Sequence, residues 1–431
     1  MLTVPLRSRF AAVVFLLGIL AAGLLLVEQT ARLATAAEWT ETEDIERLSA
    51  AARLDPGNPL IYDRLGFLYL REASDVSAAL PPLRRATQLN PRVAVYWIDL
   101  GNGCEMSGDL DCARTSYEKA VALAPMRPDF IWDLANCYLR TGDNEKALAT
   151  FARYLHFVPE AREQAFALLN RGINDPGLVW QRVVRASGNM ELELAYLAFL
   201  KRQNAKFVTG PLWTDLVAQR QPLPVNAALP YVDRLLDNQE YDEARRVWSD
   251  LQISGSLSGK PEAGNLVFNG KFSDKPLNGG FDWHLHPEPF LEVDFSQSSS
   301  CKEAHCLYLN FAVPHNADYE PLYQIVPVQP GKSYMLSAFV RSQSITSDSG
   351  PRLRVIDPEC LDCLQAMTPP ALETRSWRSV EVTFAAGPKT RAVKLSVWRP
   401  RSRVFPMEIS GEFWLDSVSL KPEGATASSA P

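Results

Sequence analysis

Seven cysteines, five histidines and a cluster of carboxylates after Trp283 are the side chains of this chain with the most chemistry to offer. Cys301 and Cys306, then Cys360 and Cys363, form two close pairs. Such pairs read as local disulfides in an exported chain, or alternatively as four thiolates around a zinc ion. A thioredoxin-like role for Cys360-Leu361-Asp362-Cys363 lacks the adjoining βαβ pattern. Cys104 and Cys112 either bridge two helices, leaving Cys137 unpaired, or are buried as small apolar residues. The alternating histidines of Trp283-His284-Leu285-His286 suit a ligand or metal, or simply solvent. Glu288, Glu292 and Asp294 come nearest to a glycosidase pair, which needs two carboxyls roughly 5–10 Å apart. No Gly-x-Ser-x-Gly elbow, phosphate loop, His-Glu-x-x-His or dinucleotide fingerprint occurs. The expectation is therefore a binding protein and not an enzyme, with no cofactor.

The elements that must position these residues are long enough for two or three domains, at 431 residues. A net charge of −6, with the arginines of the C-terminal half interleaved among apolar residues, provides no basic field for a phosphate backbone. Nucleic acid is thus not an expected partner. Phe10 to Val27 carries no charge and as a helix would be roughly 27 Å long, near the hydrocarbon thickness of a bilayer. Arg7 and Arg9 precede it while Glu28, Glu38, Glu41, Glu43 and Asp44 follow, so residues 1–9 are expected on the cytoplasmic side and the bulk outside. A transmembrane anchor at 10–28 is the expectation. Ala34-Thr35-Ala36 offers the competing reading of a cleaved signal peptide.

The region that follows is repetitive. Tyr62-x-x-Leu65-Gly66-x-x-Tyr69 recurs as Trp97-x-x-Leu100-Gly101-x-x-Cys104 and as Ile131-x-x-Leu134-Ala135-x-x-Tyr138, with periods of 35 and 34 residues. Each block continues with Ala79, Leu83, Ala86 and Pro91, then Ala113, Tyr117, Ala120 and Pro125, then Ala147, Phe151 and Pro159. This resembles the tetratricopeptide repeat family over about 57–159. A half-repeat is expected to precede it near Glu38, and looser helical periodicity extends the solenoid over 38–251. Pro81-Pro82 is expected to interrupt the second helix of the first repeat. The resemblance implies a concave first-helix face that holds a peptide of a protein partner. On it would lie Asp63, Phe67 and Arg71, then Ile98, Asn102 and Met106, then Trp132, Asn136 and Arg140. Asn102 and Asn136 stand in equivalent positions, either as an amide ladder for an extended backbone or as solvated polar positions.

After Leu251 the composition turns to Ser and Gly, so 252–264 reads as a linker and 422–431 as a disordered tail. Between them short alternating segments at His305–Val313, Ser333–Arg341, Arg352–Ile356, Ser379–Phe384, Val393–Trp398 and Phe413–Leu420 predict an all-β sandwich. Asn265-Leu266-x-x-Asn269-Gly270-x-Phe272 with Trp283, Pro330-Gly331-Lys332-x-Tyr334, Trp377-x-x-Val380 and Phe413-Trp414-Leu415-Asp416-x-Val418-x-Leu420 follow in order. Over 265–421 this is similar to jelly-roll carbohydrate-binding modules, the first motif as their opening strand. The resemblance implies a glycan site and raises a structural calcium near that motif, although Ser273 stands where an acidic residue would strengthen the case.

Strand parity separates Trp398 from Val393, Leu395 and Val397. The same parity sets Tyr308 and Asn310 against Leu307 and Leu309, and Arg352 and Arg354 against Leu353 and Val355. With Gln324 and Arg341 these would line one sheet face around Trp398 as a sugar platform. The alternative is a Trp398 packed under a loop or against the helices. Trp377 and Trp414 are expected in the core. Together the readings give a transmembrane helix, an all-α tetratricopeptide-type solenoid and an all-β jelly-roll sandwich. They suit a bacterial inner-membrane, single-pass envelope adaptor with its bulk in the periplasm, active in polysaccharide synthesis, assembly or export. The alternatives are a purely protein–protein scaffold and a cryptic glycoside hydrolase.

Overall fold

The structure, a computed structural model, describes residues 9–72, 74–203, 208–219, 221–257, 264–295 and 301–423. The start of the N-terminal segment, the centre of the expected linker and the tail from 424 lie outside the described residues. The chain forms two compact units, 1–188 and 189–431.

The first unit is helical. Helix α1 (Arg9–Thr40) is followed by α2 (Ile45–Leu54), α3 (Pro59–Arg71), α4 (Val76–Leu89), α5 (Ala94–Met106) and α6 (Leu110–Leu123). Then come α7 (Pro128–Thr141), α8 (Asn144–Phe157), α9 (Arg162–Ile173) and the short α10 (Pro176–Val179). Helix α1 is long and apolar enough to cross a membrane, and its apolar side chains from Val13 to Val27 are largely exposed. It does not stop at residue 28. It continues to Thr40, where Ala36 is fully buried among Leu48, Ala51, Ile61 and Leu65. The expected half-repeat is therefore α2 paired with the end of α1.

The repeat is built by recurring caps and small residues. Asp75, Asp109 and Asp143 each accept from a backbone N–H three residues on, satisfying an orphan donor at the start of α4, α6 and α8. At Gly101 an added Cβ would come within 2.5 Å of the Tyr117 ring, so only glycine lets α5 and α6 approach this closely. Pro81 and Pro82 do not interrupt α4. Their missing N–H groups cost intrahelical bonds, but Ala79, Leu83 and Ala86 are completely buried and hold the helix.

The second unit begins with α11 (Met190–Arg202), α12 (Thr209–Val217), α13 (Val225–Asp237) and α14 (Tyr241–Ile253). The boundary between units thus falls inside the stretch read as one solenoid. The first part of the expected linker is tied down: Ser256 Oγ accepts from Leu223 N at 2.9 Å, and Leu257 is buried.

The sandwich comprises β1 (His284–Leu285), β2 (Glu292–Asp294), β3 (Leu307–His315), β4 (Tyr319–Pro327) and β5 (Ser333–Ile345). It is completed by β6 (Arg352–Ile356), β7 (Gln365–Met367), β8 (Glu373–Ala385), β9 (Ala392–Arg399) and β10 (Ile409–Pro422). Two antiparallel sheets, ordered β1-β4-β9-β6-β7 and β2-β3-β10-β5-β8, enclose a core that includes Leu307, Leu309, Leu353, Val355, Val393, Leu395, Val397, Phe413 and Leu415. Strand β4 escapes the sequence reading because Pro321 argues against an internal strand; it sits where the β4–β9 register shifts, a place that tolerates a missing donor. The segment from Asn265 to Phe272 is not a strand. It is pinned to β10 by Asn265, whose Oδ1 accepts from Leu420 N at 2.9 Å and whose Nδ2 donates to Val418 O at 3.1 Å.

Candidate functional site

In the helical groove the nine expected residues separate by depth. Phe67, Arg71, Met106 and Arg140 are exposed, whereas Asp63 and Ile98 are buried and cannot meet a partner directly. Arg71 lies 5.7 Å from the Phe67 ring centroid, and Arg140 pairs with Glu105. Trp132 is set between Phe151 and Tyr154, at 5.6 and 4.8 Å. The two asparagines are half-buried and each is anchored locally. Asn102 Oδ1 accepts from Tyr117 OH at 2.7 Å, and Asn136 Nδ2 donates to Trp132 O at 2.8 Å. What remains is one amide NH2 at Asn102 and one amide carbonyl at Asn136, in place of two complete amides. Asp63 is buried near Asp99 of the next repeat, and burial followed by the neighbouring charge raises the Asp63 carboxyl well above its usual range. Burial also raises Asp99 and Asp133.

The expected sugar-binding set does not form one face. Trp398 and Arg354 belong to the first sheet, whereas Tyr308, Asn310 and Arg341 belong to the second. Parity identifies which side of a strand a residue occupies but not which sheet the strand joins. Gln324 is a further correction. It is 1% exposed, and its amide accepts from Phe268 N at 3.0 Å and donates to Phe268 O at 2.9 Å, clamping the opening segment. On the second sheet, Tyr308 and Arg341 cover Trp414, with the guanidinium 4.5 Å from its ring centroid. Trp414 is thus buried on an outer face and not in the core, and Trp377 is only half-buried. Asn310 donates to Glu292 at 3.2 Å.

The outer face of the first sheet is the denser constellation. Register places Arg352 opposite Trp398 and Arg354 opposite Ser396 on β6 and β9. The Arg354 guanidinium lies 4.2 Å from the Trp398 ring centroid, and Trp398 Nε1 donates to Asp318 at 2.8 Å. Glu320 accepts from Arg354 at 2.8 Å and also pairs with Lys394. These ion pairs and hydrogen bonds outweigh its burial and hold its carboxyl below the ordinary value. Lys394 in turn sits 4.3 Å from the Tyr323 ring. At the β1 end of this face a cavity of about 230 Å³ is lined by Asp233, Tyr241, His284, Tyr323 and Glu359, so α13 and α14 wall one side. His284 stacks on Tyr323 and places Nε2 2.9 Å from Gly280 O, so the pair of histidines is not simply solvated. His286 instead lines a larger cavity of about 700 Å³ beside Phe272, Leu291, Phe295 and His305, with Ser273 and Asp294 also on its wall. Sequence spacing could not reveal either cavity, because each joins segments from separate parts of the chain.

The cysteines close as Cys104–Cys112, Cys301–Cys306 and Cys360–Cys363, each C-terminal pair on itself and not around a shared ion. Cys137 is buried and free. Among the described residues no three His, Cys, Asp or Glu side chains converge on a metal position.

Residues 105–171 match the sequence profile of the tetratricopeptide repeat family, so the helical unit carries such repeats. Among solved structures the chain is similar to a MamA protein, at 17% identity over 42% of this chain and 96% of that one, with a TM-score of 0.33. It is also similar to a CBM4 structure, at 14% identity over 36% and 99%, with a TM-score of 0.28. A third is the enzymatically active domain of bacteriophage CBA120 tailspike protein 4, at 13% identity over 37% and 21%, with a TM-score of 0.27. No curated protein sequence matches the chain.

Proposed function

We propose that the protein is a membrane-anchored envelope adaptor, in which the repeat groove holds a peptide of a protein partner and the first sheet of the sandwich binds a glycan. The observation that carries the glycan reading is the Trp398–Arg354–Glu320–Lys394 array. It combines an aromatic ring with fixed polar groups on the outside of a sheet, the requirements of a saccharide site. Three disulfide pairs suit an oxidising compartment outside the cytoplasm. The burial of Ala36 in the first helical core favours an uncut anchor over a processed leader. The organisation suits polysaccharide synthesis, assembly or export, with binding and not catalysis as the chain's task. Affinity electrophoresis of the protein in gels containing envelope or extracellular polysaccharides tests the reading: retardation that Trp398→Ala abolishes, with the fold intact by circular dichroism, is expected. Unretarded migration in every gel would remove the glycan function.

A second reading, a protein–protein scaffold with a structural sandwich, draws on the packing of Trp248 of α14 against Phe268 and Phe281. It predicts that partner capture depends on Phe67 and Met106 and is indifferent to Trp398.

A further inference from the structure

Arg352 stands apart from the ion pairs around Trp398. Glu320 is shared by two cations, Arg354 and Lys394. Asp318 is the acceptor for the indole N–H. Arg352, directly opposite Trp398 across β6 and β9, makes no hydrogen bond or ion pair among the described residues, and its guanidinium carbon lies 6.0 Å from the indole centroid. The Nε groups of both Arg352 and Arg354 are buried without a hydrogen-bond partner. Asp348 is within electrostatic reach of Arg352 but accepts from the Ser402 hydroxyl at 2.5 Å. Beneath this end of the sheet Arg399 is fully buried, and its hydrogen-bond partners are backbone carbonyls, an amide and a hydroxyl, with no carboxylate among them.

Only the Nε of Arg352 is buried, the side chain as a whole is half-buried, and a guanidinium with no ion-pair partner can offer its outer N–H groups to an anion arriving from solvent. A planar fork of donors is best matched by a carboxylate or phosphate, which it binds in bidentate fashion. A neutral sugar hydroxyl offers one weak acceptor and leaves the fork's charge uncompensated. The neighbouring indole supplies an apolar surface for the C–H face of a ring. The two groups stand side by side on adjacent strands, so one residue of a polymer can meet both.

Resting on the glycan reading above, we infer that the first sheet selects an anionic saccharide, the acidic substituent seated at Arg352 and the ring against Trp398. The shared chemistry is an anionic group on a sugar, carried as a uronate carboxylate or as a phosphate substituent.

The test uses the full chain in detergent and isothermal titration calorimetry with three probes: oligogalacturonate, the same oligomer fully methyl-esterified, and a phosphate-substituted mannan oligosaccharide. At least one acidic probe should bind about tenfold or more tightly than the ester, a ratio of the size expected for one charge-assisted contact. That preference should shrink severalfold between about 50 and 500 mM salt. In Arg352→Gln the preference should fall to about one. The stronger of the two acidic probes identifies carboxylate or phosphate as the group recognised. Equal binding of acid and ester, or a preference that survives Arg352→Gln, overturns the anionic selectivity but leaves the glycan site standing. Absence of binding by all three probes, or binding that Trp398→Ala does not weaken, overturns the anionic site, and the glycan function itself then stands or falls with the gel retardation.

Discussion

Asp233 Oδ1 accepts a 2.6 Å hydrogen bond from the Gly280 backbone N–H, fastening α13 to the loop that enters β1. Gly280 has a φ of 61°, and a Cβ there would strike the Trp248 ring. Trp248 itself meets Phe268 and Phe281 edge-on at 5.2 and 5.7 Å. The last helices and the sandwich are thus packed as one body. Gly280→Ala should destabilise it by about 2–4 kcal/mol, the sum of left-handed strain and displacement of Trp248. Urea unfolding followed by helical ellipticity and by tryptophan fluorescence checks this, and a change below about 0.5 kcal/mol would contradict the packing.

Two buried carboxyls from consecutive repeats, Asp63 and Asp99, make the repeat unit sensitive to pH. Both carboxyls are raised by burial, Asp63 to about 8 and Asp99 to about 6. A group that holds its proton more tightly when folded contributes most below its unfolded value, near 3.8, and that contribution is lost as pH rises through the folded value. Melting temperature should therefore decline from about pH 4 to about pH 8 and level off above it. Asp63→Asn should flatten the decline. A variant curve parallel to the wild type would show that the Asp63 carboxyl is not raised in the folded protein.

Seven cysteines with three bridges leave a single thiol, Cys137. Burial pushes this thiol up to about 11, so little thiolate exists at neutral pH. Maleimide counting by mass should give no adduct in the native protein, one in denaturant without reductant, and seven after reduction. Three or more adducts before reduction would refute the pairing.

Arg399 braces the loop of residues 400–408. Its guanidinium donates to Ser349 O at 3.0 Å, Asn316 Oδ1 at 2.9 Å, Ala317 O at 2.8 Å, Ser347 Oγ at 3.3 Å and Met407 O at 2.8 Å. Arg399→Ala should cost about 3–5 kcal/mol, because several buried acceptors lose their donor together. Arg399→Lys should rescue little, since one ammonium cannot reach acceptors spread around a planar fork. Chemical denaturation of the three proteins decides this, and full recovery in the lysine variant would count against the brace.

The continuity of α1 bears on attachment. Cleavage after Ala36 would sever the helix inside its packed end, where Thr40 also accepts from the Arg64 guanidinium. Intact mass of protein extracted from membranes should include the segment before Ala34. A mature chain beginning at Ala37 would replace the anchor with a processed leader.

Much of the molecule was legible in the sequence because its signals are local. The repeat spacing of Leu65, Leu100 and Leu134, the charge-free run from Phe10 to Val27 and the alternation of Val393, Leu395 and Val397 each report a secondary-structure period that neighbouring residues impose. Close cysteine pairs likewise carry their own partner. The binding faces depended on more than period. Parity separated Trp398 and Arg354 from the core positions of their strands and, by the same logic, Tyr308 and Asn310. Which sheet each strand joined was settled only by pairing between residues far apart in the chain, as between Arg352 and Trp398 of β6 and β9 or Tyr308 and Trp414 of β3 and β10. Gln324 looked polar and available, yet a backbone segment 56 residues away turned it inward. Asp63 looked like a groove residue, yet it is buried near Asp99 of the next repeat. Local chemistry determined the elements and their order; the tertiary structure decided which polar groups already had partners and which, such as Arg352 Nε, had none among the described residues.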